Sequence, residues 1–128
     1  MKNTPIILAL SLLLTACSRH DAEFTKQVPG NWKHEGTSTR DTGTYASTTT
    51  ISPDGTFSYI RQWNERPLTY TMAGTWQIKD GFMLMTVTNR SDQNMGAKVG
   101  EIIKSRIIRL DDRQFVYEVK GITNILSR

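Results

Sequence analysis

The chain has 128 residues, a formal net charge of +4 and a single cysteine. This length allows one domain and is too short for two, and one thiol cannot form an intramolecular disulfide. Lys and Arg residues are spread along the chain, so the mild basic excess lacks the concentrated patch typical of nucleic-acid binding. The domain must therefore be stabilised by burial of its aromatic and aliphatic side chains.

The N-terminus has the organisation of a secretory signal. Lys2 precedes an apolar segment from Ile6 to Leu14, which is too short to span a bilayer but suits the core of a cleavable signal peptide. The segment ends in Leu14-Thr15-Ala16-Cys17, with two small residues before the only thiol. This pattern resembles the lipobox of bacterial lipoproteins, and the resemblance implies that Cys17 is the lipidated residue after cleavage.

The resemblance divides the chain into a signal peptide at residues 1–16, a lipidated tether at 17–27 and an exported domain at 28–128. In bacterial lipoproteins a residue other than Asp after the cysteine favours transfer to the outer membrane, so Ser18 implies an envelope protein that faces the periplasm. The membrane partner is then the covalent lipid on Cys17. An ordinary buried cysteine at the end of a transmembrane anchor is the alternative interpretation.

From Val28 onward, β-branched and aromatic residues dominate and turn signals recur, which favours an all-β domain. Pro53-Asp54-Gly55 and Asp80-Gly81 indicate hairpins, because glycine adopts the positive φ of tight turns. Asp111-Asp112 and Gly121 indicate two further turns. Together these signals predict eight strands, at residues 31–36, 44–52, 56–63, 68–79, 82–90, 99–110, 114–120 and 122–128.

The alternation of side chains indicates how the strands pack. In residues 68–78 the even positions are apolar or glycine, which predicts a strand with one buried face. With no predicted helix to cover that face, the sheet must close on itself or pack on a second sheet. A single antiparallel up-and-down β-barrel is the simpler solution, because it leaves no free edges and needs no crossover connections.

Three short motifs along residues 28–128 resemble bacterial lipocalin-like domains of the calycin type. They are Gly30-Asn31-Trp32, Pro53-Asp54-Gly55-Thr56-Phe57, and Gly74-Thr75-Trp76 followed by Asp80-Gly81. The resemblance implies that Trp32 plugs one end of the barrel and that Arg128 packs across its indole ring, an arrangement that a cation–π interaction stabilises.

Four residues are candidate ligand contacts: Tyr59, Arg61, Tyr70 and Trp76. The aromatic side chains could line an apolar pocket, and a guanidinium inside a barrel would suit an anionic head group. The same aromatic side chains could instead fill an eight-stranded barrel as ordinary core. Arg61 could also be turned outward by a β-bulge after Tyr59, or lie at the rim.

Catalytic and metal-binding patterns are lacking. The two histidines, His20 and His34, have no partners at the spacing of a zinc site or a catalytic triad, and most carboxylates lie in turns. We therefore expect a non-enzymatic, lipid-anchored envelope protein without a cofactor, which binds a small apolar or amphiphilic molecule or serves as a scaffold.

A protein-binding module, such as an inhibitor of an envelope-attacking hydrolase, is the alternative function. An internal cavity lined by Tyr59, Tyr70 and Trp76 would favour the small-molecule function. A filled barrel with a protruding loop at residues 91–96 would favour the protein partner.

Overall fold

The computed structural model describes residues 20–37 and 43–128, so the predicted signal peptide and Cys17 lie outside the described residues. Within those ranges the chain forms one short helix, α1, at residues 20–27, followed by eight strands. The strands are β1 (Gly30–Thr37), β2 (Thr44–Ile51), β3 (Thr56–Trp63), β4 (Thr69–Lys79), β5 (Phe82–Arg90), β6 (Ile102–Leu110), β7 (Gln114–Val119) and β8 (Ile122–Ser127).

Each strand pairs antiparallel with its neighbours in sequence, and β1 also pairs with β8 to close the sheet. The prediction of an all-β, up-and-down barrel is therefore confirmed. Among the described residues, the buried core residues lie between Val28 and Leu126, within the range 18–128.

The connection between β5 and β6 is longer than the sequence indicates. β6 begins at Ile102, whereas the sequence predicts a strand from Val99. The backbone N–H of Gly100 donates to the Val87 carbonyl, and that of Glu101 donates to the Lys98 carbonyl. The Glu101 bond closes a turn over residues 98–101, in which Gly100 adopts a φ of +89°, and the Gly100 bond joins that turn to β5.

Helix α1 stands where the sequence predicts a tether. Phe24 packs against the core, Val28 is fully buried, and the Val28 N–H donates to the Phe24 carbonyl over 2.9 Å. The Asp21 carboxylate accepts hydrogen bonds of 2.8 Å from the backbone N–H groups of Asp80 and Gly81 in the β4–β5 turn. These contacts fix α1 to one end of the barrel, which we call the closed end.

Replacing Asp21 by alanine should destabilise the protein by about 2 kcal/mol, because two charge-assisted hydrogen bonds are lost. Urea unfolding of residues 18–128 measures this change. Glu23→Ala is the matched control, since Glu23 is exposed on the same helix. Equal effects of the two substitutions would show that α1 is not held by this contact.

Two aspartates at the closed end organise their turns. Asp54 accepts hydrogen bonds from the backbone N–H and the hydroxyl of Thr56, at 2.9 and 2.6 Å. Asp111 accepts from the backbone N–H groups of Arg113 and Gln114, at 2.9 and 2.8 Å. The Thr56 hydroxyl and then its N–H lower the pKa of Asp54 below 3.8, and the backbone donors do the same for Asp111.

These lowered pKa values predict a loss of stability in acid. A carboxyl whose pKa is lower in the folded state stabilises the fold above its ordinary value and loses that contribution as the pH falls through the folded-state pKa. We expect the free energy of unfolding, measured in urea from about pH 5 to about pH 2, to fall below about pH 4. The fall should be smaller in the double variant Asp54→Asn, Asp111→Asn; an unchanged pH profile would contradict the assignment.

The closed end is filled around Trp32, which is fully buried. Its indole N–H donates to the Val28 carbonyl over 2.8 Å, and its ring meets the edge of Phe115 at 5.8 Å between centroids. The Arg128 guanidinium lies 4.2 Å from the Trp32 ring centroid. Arg128 also donates to the carbonyls of Asp112 and Pro29. This is the geometry that the lipocalin-like resemblance implies.

Candidate ligand-binding site

Beyond the closed end, the barrel interior holds a cavity of about 250 Å³. The sequence leaves a filled core and a cavity open as alternatives, and the structure shows the cavity. Most of its lining is apolar. The lining residues are Thr49, Ile51, Phe57, Tyr59, Met72, Met83, Met85, Ile103, Ser105, Phe115, Tyr117, Val119, Asn124 and Leu126.

Small inward-facing residues leave this space. Thr49 and Ser105 line the cavity and are buried at positions where the alternation of β2 and β6 points into the barrel. A larger side chain at either of these positions would occupy the interior. Ile103 and Val119 also line a surface groove beside Lys120, so the cavity approaches the surface between β6 and the β7–β8 turn.

Polar groups are few in the cavity. Thr49, Ser105 and Tyr117 are lining residues that carry hydroxyls. A hydroxyl can both donate and accept a hydrogen bond, so these side chains can orient a ligand with a polar end.

Arg61 points into the barrel. The pairing of β3 with β2 and β4 is continuous through Arg61, so the β-bulge after Tyr59 that would turn it outward is not present. The Arg61 Nε–H donates to the Tyr59 hydroxyl over 2.7 Å. Its Cζ lies 4.0 Å from the Tyr45 ring centroid and 5.7 Å from that of Trp63. The guanidinium is therefore half-buried among aromatic rings.

The phenol groups of Tyr59 and Tyr117 remain protonated at neutral pH. Burial is the main cause that raises the pKa of Tyr117 to about 12. The neighbouring hydroxyls of Tyr59 and Tyr45 also raise this pKa, whereas the positive charge of Arg61 lowers it. Burial also raises the pKa of Tyr59, against the opposing charge of Arg61. Both phenols can therefore act as hydrogen-bond donors.

Tyr70 and Trp76 do not line the cavity, contrary to the expectation that they contribute to one ligand pocket with Tyr59, although the Tyr70 ring packs on that of Tyr59 at 6.3 Å between centroids. Trp76 belongs to the closed-end core, where its indole N–H donates to the Ser52 carbonyl over 2.9 Å. The Tyr70 hydroxyl donates to the Met95 carbonyl over 3.2 Å. Arg90 donates to the carbonyls of Met95 and Ala97, so Tyr70 and Arg90 hold the β5–β6 connection against the barrel.

Other cavity residues have weaker sequence signals. Tyr117 alternates with Phe115 and Val119, so its inward direction is predictable from parity. Thr49 and Ser105 carry no comparable signal, because small polar residues are equally common on outer strand faces. The candidate site is therefore Tyr59 with Arg61 beside it, together with residues that local patterns do not identify.

The basic side chains of β6 make ordinary contacts on the outer face. Lys104 lies over the Phe82 ring at 4.3 Å, and Arg106 forms an ion pair of 3.0 Å with Glu118. Arg109 hydrogen-bonds to Gln114 and pairs with Asp111. These contacts hold the three cations on the outer face of the barrel.

Among residues 20–37 and 43–128, no three His, Cys, Asp or Glu side chains are grouped as a metal site would require. In the same ranges, no helix has the length and apolar character needed to cross a membrane. An eight-stranded antiparallel barrel of this size is compatible with a lipocalin-like fold. The sequence matches no protein-family model and no curated protein.

Proposed function

We propose that this chain is a lipid-anchored protein of the bacterial cell envelope which binds a small apolar or amphiphilic molecule without transforming it. The observation that supports this proposal most directly is the mainly apolar cavity of about 250 Å³ inside the barrel. Small-molecule sites are typically concave and apolar with a few polar groups that orient the ligand. The hydroxyls of Thr49, Ser105 and Tyr117 are such groups.

The cavity volume limits the ligand. An apolar protein cavity of about 150 Å³ accommodates benzene, so a cavity of this size corresponds to about ten non-hydrogen atoms. A long-chain lipid is too large to be enclosed. The proposed ligand therefore has an apolar body comparable to a chain of about eight carbons.

The proposed anchor is Cys17, on the sequence pattern Leu14-Thr15-Ala16-Cys17. Asp21 follows four residues later and is bound to the closed end of the barrel, so the extended chain between them reaches at most about 14 Å. A lipid on Cys17 would keep the closed end near the membrane. With Ser18 after the cysteine, the proposed location is the outer membrane, facing the periplasm.

Cys17→Ser should abolish incorporation of labelled palmitate into the protein, because only the thiol forms the thioether to diacylglycerol. Metabolic labelling of cells that express the full chain measures this. Ser18→Ala is the matched control and should retain the label. Continued labelling of the Cys17→Ser variant would refute the anchor.

Binding of 1-octanol to residues 18–128 tests the small-molecule function by titration calorimetry. Ser105→Phe should weaken octanol binding at least tenfold, since the ring would occupy the cavity that receives the chain. Ser58→Phe places the same ring on the exposed outer face of β3 and should leave binding unchanged. Equal octanol binding by the two variants would place the ligand outside the barrel.

The alternative function, a protein-binding module, has less support. Its expected signature is a filled barrel with a protruding loop at residues 91–96. The barrel contains a cavity, and Tyr70 binds the Met95 carbonyl so that this connection is held to the barrel wall.

A further inference from the structure

Hydrogen-bond donors converge at the edge of the cavity, around Arg61. The Arg61 Nε–H is bound to the Tyr59 hydroxyl, which leaves the N–H groups of both terminal nitrogens available. Tyr59 and Tyr117 line the cavity, and the bond to Tyr59 connects Arg61 to it. The Trp63 indole N–H is buried without a hydrogen-bond partner, and the Trp63 ring centroid lies 5.7 Å from the Arg61 Cζ. We call these four residues the donor cluster.

The donor cluster carries the positive charge of Arg61. Among the described residues, Arg61 has no ion-pair partner. Aromatic rings shield the guanidinium from water on its faces. A half-buried charge in such surroundings is stabilised when an anion is supplied.

We propose that the cavity binds a medium-chain amphiphile with a single carboxylate, whose apolar chain occupies the cavity and whose carboxylate is held by Arg61 and the donor cluster. This inference rests on the proposed function, because it assumes that an apolar body enters the cavity. It adds the head group and the residue that recognises it. A planar guanidinium matches a carboxylate better than any other side chain does.

Charge favours a carboxylate over a phosphate monoester as the head group. Arg61 supplies one positive charge, which a carboxylate neutralises. A phosphate monoester carries a charge of about −1.5 to −2 at neutral pH, so part of its charge would stay uncompensated beside the aromatic rings. Octanoate should therefore bind more tightly than octyl phosphate.

Three ligands of the same chain length test the inference: octanoate, octyl phosphate and 1-octanol, each titrated into residues 18–128 at neutral pH. We expect octanoate to bind at least tenfold more tightly than octanol, because hydrogen bonds to charged groups are stronger than neutral ones. In Arg61→Met this preference should disappear while octanol still binds. Retained octanol binding also shows that the variant is folded.

Arg113→Met is the matched control, since it removes the same charge from the exposed turn at the closed end. It should keep the tenfold preference. Equal affinities of the unmodified protein for octanoate and octanol, or an unchanged preference in Arg61→Met, would overturn the carboxylate site and leave the cavity function intact. Tighter binding of octyl phosphate than of octanoate would also overturn it. Failure of all three ligands to bind would contradict the cavity function itself.

Discussion

Replacing Trp32 by alanine is expected to lower the free energy of unfolding by about 4 kcal/mol, because truncation of a buried aromatic side chain leaves a cavity that the core fills only in part. Trp32 is 0% exposed and packs on Phe115 at the closed end. Its hydrogen bond to the Val28 carbonyl also ties β1 to the end of α1. A loss of this size is a large fraction of the total stability of a small domain.

Urea unfolding followed by far-UV circular dichroism measures this loss without depending on the fluorescence of the residue that is removed. Trp32→Phe is the informative control, because it keeps an aromatic ring beneath Arg128 and loses the indole N–H. That variant should lose about 1–2 kcal/mol. If Trp32→Ala proves no more destabilising than Trp32→Phe, the closed end is not the principal core of the barrel.

Local patterns predict the strands well where apolar inward residues alternate with polar outward ones. In β4 the even positions from Tyr70 to Ile78 face inward, as the alternation indicates. Parity also places Arg61 inside, and the bulge proposed to turn it outward is not there. Of the bulges that do occur, the one at Ala73/Gly74 coincides with a glycine inside a strand, which is a known bulge signal, whereas the one at Ile107/Arg109 has no distinct residue signal.

Long-range contacts explain what the sequence does not predict. Helix α1 is short and polar, and it is held by the bonds of Asp21 to Asp80 and Gly81, which lie 59 and 60 residues away along the chain. The cavity likewise depends on which inward residues of separate strands lie at the same height along the barrel axis. Tyr59 therefore lines the cavity whereas Trp76, on the adjacent strand, belongs to the closed-end core.

The second large effect is expected at Gly74, where the backbones of β4 and β5 approach closely. A Cβ at this position would lie 1.8 Å from the Thr86 carbonyl oxygen and 2.9 Å from Cε1 of Phe57. The nearer atom is backbone of a paired strand, so it cannot move away without breaking the β4–β5 ladder. We expect Gly74→Ala to cost about 3 kcal/mol or more, at the upper end of what overpacking costs.

Gly121→Ala separates this steric effect from the general cost of replacing a glycine. Gly121 has a φ of +79° and no atom within 4 Å of its would-be Cβ, so alanine there is strained only in its backbone and should cost about 1–2 kcal/mol. Urea unfolding of the two variants compares the costs directly. A smaller loss of unfolding free energy for Gly74→Ala than for Gly121→Ala would mean that β4 and β5 can separate at the bulge. The barrel wall beside Phe57 and the cavity would then be more deformable than the pairing of β4 with β5 implies.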